Sequence, residues 1–146
     1  VTSVGDYGGL AKEVLGRPPR LGRVRLVAVD GGSDAGKTVF TGRLVGALAG
    51  EGVHTEVVHT DDLLDGWADQ FTFWPRLDEG ILAPLASGEP GRYRRYDWDA
   101  DAFAEEHSVP VPDVLIMEGV SVARAQVRAR LTLAVFIAVD QAARLC

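Results

Sequence analysis

Cysteine is almost missing from this chain: the 146 residues contain one, Cys146. No disulfide can therefore form within the chain, and no cysteine-based metal cluster can be built. Long apolar runs are missing as well. Stretches such as Leu26–Val29 and Leu131–Val139 fall far short of the ~18 residues that a membrane-spanning helix needs. Positive charge is in deficit, with 15 Lys and Arg against 21 Asp and Glu for a net charge of −6. Nonspecific nucleic-acid binding needs a basic surface to displace counterions, so that class is excluded, although a local basic pocket is not. Internal repeats and low-complexity tracts are absent, which excludes solenoids and linker-like chains. No basic stretch followed by an apolar one opens the sequence, so no secretory leader is read. The expectation is a cytoplasmic protein with neither membrane nor nucleic acid as partner. What remains is the balance of one globular domain, 47% hydrophobic and 25% charged, long enough to bury roughly two thirds of its unfolded surface.

Along the chain, Gly5, Gly8 and Gly9 precede a short helix expected over Leu10–Leu15, stopped by Gly16 and Pro18-Pro19. Residues 1–22 are thus expected to form an N-terminal extension, and residues 23–146 the domain proper. Arg23–Asp30 reads as a strand whose core, Leu26-Val27-Ala28-Val29, is continuously apolar, as in a parallel strand buried on both faces. Val39, Phe40, Leu44, Val45 and Leu48 recur at helical spacing after Gly36, and Val53–His59 is a second strand. Residues 60–112 form a long excursion. Within it, Pro75–Ala86 is predicted helical, with Leu77, Ile81, Leu82 and Leu85 on one side. Gly88–Gly91 is a turn, Tyr93–Trp98 is extended, and Asp99 is expected to cap a short helix over Ala100–Glu106. Val114–Met117 and Leu133–Val139 are predicted as strands three and four, with a helical or irregular stretch around Arg124–Arg130 between them. Strands alternating with helices predict an α/β domain with a mostly parallel sheet. The helical start at Gln141–Cys146 stops abruptly, so a C-terminal lid and a last strand are expected to lie beyond this sequence.

One motif carries chemistry. Gly31-Gly32-Ser33-Asp34-Ala35-Gly36-Lys37-Thr38 fits G-x-x-x-x-G-K-[ST], directly after a buried strand and directly before an amphipathic helix. Its glycines let the backbone N–H groups turn toward phosphate oxygens, and the helix N-terminus adds its positive dipole. Lys37 is expected to bridge the β- and γ-phosphates of ATP or GTP, and the Thr38 hydroxyl to ligate Mg²⁺. The fold class expected is therefore a three-layer P-loop NTPase fold. Asp34 is out of place there, since a carboxylate facing a polyanion repels it, unless its side chain points outward and only its N–H faces the phosphate.

The D-x-x-G and N-K-x-D motifs of GTPase switches are absent downstream of Lys37, which argues against a G protein. Acidic residues instead mark the strand ends, where open parallel sheets hold their ligands. Val114-Leu115-Ile116-Met117-Glu118 has the form of a strand ending in a metal-associated acid, or in an ordinary terminal carboxylate. Asp61, at the end of strand two and expected beside strand one, is placed to accept the proton of an attacking hydroxyl. Asp65 and Asp69 continue the acidic run, so Asp61-Asp62 also reads as a solvated turn. Arg92, Arg94 and Arg95 interleave with Tyr93 and Tyr96, either to recognise an anionic or aromatic ligand or to pair with the acids at 61–69. Trp67 and Trp74 read as packing residues. His54, His59 and His107 lie at no metal-ligand spacing and are assigned no role.

Taken in order, Val29–Thr38, Thr60-Asp61-Asp62, Tyr96-Asp97-Trp98 and Glu118-Gly119 resemble the uridine kinase family of P-loop kinases. That group also takes in nicotinamide riboside kinases and, more distantly, phosphoribulokinase and pantothenate kinase. The resemblance spans about Arg23 to Cys146. It implies Asp61 as catalytic base alongside Lys37, Asp62, Tyr96 and Asp97 on the substrate side, and Glu118 with Thr38 at Mg²⁺. Three departures stand out: Asp34 replaces a small residue, Asp62-Leu63-Leu64 lacks the family's aromatic, and Arg144 alone remains of the lid arginines. The reading implied is an ATP- and Mg²⁺-dependent kinase for a small-molecule hydroxyl, a nucleoside first. A nucleotide-binding module without turnover, or a kinase for a non-nucleoside such as shikimate or gluconate, are the alternatives.

Overall fold

A computed structural model describes residues 6–31, 36–60, 74–97, 100, 102–119 and 125–137. The elements run α1 (Tyr7–Gly16), β1 (Arg25–Gly31), α2 (Gly36–Gly50), β2 (Thr55–His59) and α3 (Trp74–Leu77). A π-helical segment (Asp78–Leu82), α4 (Ala83–Ala86), β3 (Gly91–Asp97) and β4 (Ala102–Val109) follow. Last come β5 (Val114–Glu118), a 3-10 segment (Ala125–Arg130) and β6 (Leu131–Ile137). β1, β2, β5 and β6 form one parallel sheet in the order β2-β5-β1-β6, and β3 and β4 form a separate antiparallel pair.

Why β1 and β5 are apolar without alternation is visible in the packing. Successive side chains of a strand point to opposite faces. Leu26, Ala28, Leu115 and Met117 enter one cluster, with Leu77, Ile81, Leu82 and Leu85 of the α3–α4 region. Val27, Val29, Val114 and Ile116 enter the other, with Ala11 and Val14 of α1 and Phe40, Leu44 and Leu48 of α2. Helices therefore cover both faces, and the molecule is a three-layer α/β structure. Val39, expected on the apolar side of α2, faces solvent. The helix opening at Tyr7 is capped by the Asp6 carboxylate, which accepts from the Gly9 N–H at 2.8 Å. No helix among the described residues is long and apolar enough to cross a membrane.

Two expectations are corrected. Strand β2 does not lie beside β1, because β5 stands between them. Every residue of β5 is buried, whereas β2 carries Thr55, Glu56 and His59 and is buried at Val58 alone. The wholly apolar strand takes the centre and the mixed one the edge. The helix expected over Ala100–Glu106 is a strand instead, β4, paired antiparallel with β3. Its residues have adequate helix propensity, but cross-strand contacts override it. Tyr93 stacks on His107 at 5.3 Å between ring centroids, and Arg95 bonds Glu105. Hydrogen bonds from Arg95 and then His107 draw the Glu105 carboxyl down to about 2.

The π-helical segment lies tight against β3. A Cβ added at Gly80 would sit 2.5 Å from the Arg92 carbonyl oxygen, a backbone atom that cannot swing aside. Alanine ordinarily stabilises a helix by about 1 kcal/mol over glycine. Here the clash should outweigh that gain, and Gly80→Ala should lower stability by about 1–3 kcal/mol. Urea unfolding measures this, and a rise in the midpoint would show that β3 yields without cost.

Candidate active site

The carboxyl edge of the sheet gathers the polar groups. β1 ends at Gly31, whose φ of 150° and close approach to the Ile137 carbonyl oxygen (2.7 Å from an added Cβ) admit glycine alone without strain. Its N–H is held by the Asp30 side chain at 2.6 Å. Gly32, Ser33, Asp34 and Ala35 lie outside the described residues, but the residues at both ends of that motif are fixed. At its far end Lys37, in the first turn of α2 and 6% exposed, donates from Nζ to the Gly31 carbonyl at 3.1 Å. The ammonium thus spans the loop that the motif assigns to phosphate.

Beside it, the two residues expected at the metal meet. Thr38 Oγ1 donates to Glu118 Oε1 at 2.8 Å. Glu118 ends β5, is 6% exposed, and pairs in register with Val29 on one side and His59 on the other. On its second oxygen, His59 Nδ1 lies 2.7 Å from Oε2. Burial pushes the Glu118 carboxyl up, but hydrogen bonds from His59 and Thr38, with the charges of His59 and Lys37, outweigh it and hold it below the ordinary value. The group is a carboxylate at neutral pH. Thr60 adds a bond from its hydroxyl to the Glu118 carbonyl at 3.3 Å, tying the end of β2 to the end of β5.

His59 is the residue that sequence reasoning passed over. Metal-ligand spacing was the wrong test for it, since its partner is 59 residues away and meets it through strand register. Asp61 and Asp62 lie outside the described residues, as do Trp67 and Arg144. Tyr96 and Asp97 are placed by backbone in β3, opposite Phe103 and Ala102.

A cavity of about 380 Å³ opens between the helical segment and the β3–β4 pair. Arg76 and Glu79, Arg92, Tyr93 and Arg94, and Phe103 and Glu106 line it. The arginine–tyrosine run singled out in the sequence is therefore partly a cavity wall. Arg94 is held there by the Ala104 carbonyl at 3.1 and 3.2 Å, and the Arg76 guanidinium lies 5.4 Å from the Phe103 ring centroid. Arg95 bonds Glu105 on the hairpin itself.

No protein-family model matches the chain, and no curated protein sequence does; the likeness found is to solved structures. A protein from Bacillus stearothermophilus described as a uridine kinase superposes with a TM-score of 0.72 at 19% identity, over 93% of this chain and 81% of that one. A protein from Silicibacter sp. described as a fructose transport system kinase gives 0.63 at 24%, over 94% and 76%. D-Glycerate 3-kinase from Cryptococcus neoformans gives 0.56 at 19%, over 80% of this chain and 53% of the enzyme. At such identities the likeness establishes the fold, and this chain has the three-layer α/β fold of P-loop kinases.

Proposed function

We propose that the protein is a P-loop kinase that transfers the γ-phosphoryl group of ATP to a hydroxyl of a small molecule, with a nucleoside as the first candidate acceptor. The observation that carries this reading is the meeting of Lys37, Thr38 and Glu118 at one sheet edge, on a fold shared with kinases. Phosphoryl transfer asks little covalent chemistry of the protein and much positioning and charge stabilisation. Lys37 would bridge the β- and γ-phosphates, and the loop's N–H groups would hold the rest.

The residues present suit Mg²⁺. The Thr38 hydroxyl and the Glu118 carboxylate are hard oxygen donors already 2.8 Å apart. Two such donors suit an ion that keeps its waters and takes further ligands from substrate phosphates. When bound, Mg²⁺ would offset the negative charge of the β- and γ-oxygens. Asp61 would take the proton of the acceptor hydroxyl, and Asp62, Tyr96 and Asp97 would hold the acceptor. The cavity's mixture of aromatic, guanidinium and carboxylate groups offers stacking, donors and acceptors to its polar parts.

Asp34 favours a second reading, a nucleotide-binding module without turnover, because its charge opposes a bound polyphosphate. ATP consumption by the purified protein separates the two. We expect hydrolysis or transfer to rise on adding one member of a panel of nucleosides, sugars and hydroxy acids. ATP binding without consumption under every member would favour the module.

A further inference from the structure

We propose that His59 is a positioning residue of the nucleotide-linked metal site: it holds the Glu118 carboxylate through a close contact with Oε2 while Thr38 hydrogen bonds Oε1. The inference rests on the reading of Thr38 and Glu118 as the Mg²⁺ side of a P-loop site, and it adds a residue that the motif does not contain.

Three observations converge on it. His59 and Glu118 are register partners on adjacent parallel strands, each the last residue of its strand, so the contact is built by the sheet. The contact is close, 2.7 Å from Nδ1 to Oε2, and a carboxylate can only accept, so Nδ1 must carry a proton for the two to sit together. Finally, the two partners differ in exposure: Glu118 is 6% exposed and the His59 side chain 47%. A buried carboxylate that is to meet a cation needs its direction set before the cation arrives. An imidazole anchored at the rim supplies that without burying a second charge.

Thr38 alone would leave the carboxyl plane free to rotate about its bond to the chain. With a partner against each oxygen the plane is held. A hydroxyl has two lone pairs besides its proton, so Thr38 can keep its bond to Oε1 and still offer oxygen to a metal. The neutral Nδ1–H tautomer suffices for the role. Partners of this kind behind a metal ligand are commonly worth 10–100-fold in metal affinity or activity.

The test measures binding rather than turnover. A fluorescent ADP analogue is titrated into the wild-type protein, His59→Ala and His59→Asn, each with and without Mg²⁺. Asparagine carries an N–H donor at the same branch position as Nδ1 and can restore the contact. The expected result is a Mg²⁺-dependent gain in affinity that falls about 10-fold in His59→Ala and largely returns in His59→Asn. Metal-free affinity and melting temperature should stay close in all three. An undiminished gain in His59→Ala overturns the inference while leaving the P-loop reading intact. So does an equal loss in both variants, which would make the ring's packing responsible. A wild-type protein that binds no nucleotide, or gains nothing from Mg²⁺, overturns the site reading and the inference with it.

Discussion

Lys37→Ala should abolish phosphoryl transfer, with a loss of at least about 10²–10³-fold, the usual cost of deleting one preorganised charge-stabilising group, and should weaken ATP binding. The reason is positional. Lys37 is 6% exposed, and its ammonium is already drawn across the loop to the Gly31 carbonyl. A charge so placed needs little reorganisation when phosphate arrives, and it acts where water is scarce. The chain's other lysine, Lys12, lies on α1. The fold should survive, because Lys37 is outside both apolar clusters. Steady-state turnover, an ATP titration and a thermal melt together check this. Near wild-type turnover in a folded variant would remove the phosphate-loop assignment.

What was legible in the sequence follows from how local each signal is. The G-x-x-x-x-G-K-[ST] motif is plain because one short segment supplies the strand, the glycines, the lysine and the helix start together, and the strand and helix around it are as expected. The apolar runs of β1 and β5 are equally plain, since burial on both faces removes alternation. The helical face at Leu77, Ile81, Leu82 and Leu85 came from spacing alone, and all four are buried. By contrast, the pattern over Ala100–Glu106 reads as helical, because the extended form of Ala102–Val109 depends on β3, a partner brought in by the fold. Strand order failed for a related reason. Local pattern marks β5 as the most buried strand but does not say which neighbours it separates. The same gap hid His59: the pairing of Val58 with Met117 aligns it with Glu118, and register is not written in either segment alone.

That strand order reshapes what to expect from the acceptor side. β2 borders β5, so the chain leaves the sheet toward Asp61 from a point beside Glu118, with Thr60 bonded to the Glu118 carbonyl. It does not leave from beside β1, the strand that leads into the G-x-x-x-x-G-K-[ST] motif. A base acting from this edge would work next to the Glu118 carboxylate, and its proposed task differs from that proposed for Asp97 on the hairpin. Asp61→Asn keeps side-chain shape and removes the base, so kcat should fall by roughly 10²–10⁴-fold with a modest change in acceptor KM. Asp97→Asn should mainly raise acceptor KM, because holding a second hydroxyl is a binding task. ATP affinity should change little in either variant. Steady-state kinetics with the acceptor found in the panel, together with an ATP titration, separate these signatures. If both variants instead lose ATP binding, the aspartates serve the Mg²⁺ shell or the fold. The base would then have to be sought elsewhere along the edge that β2 and β5 share.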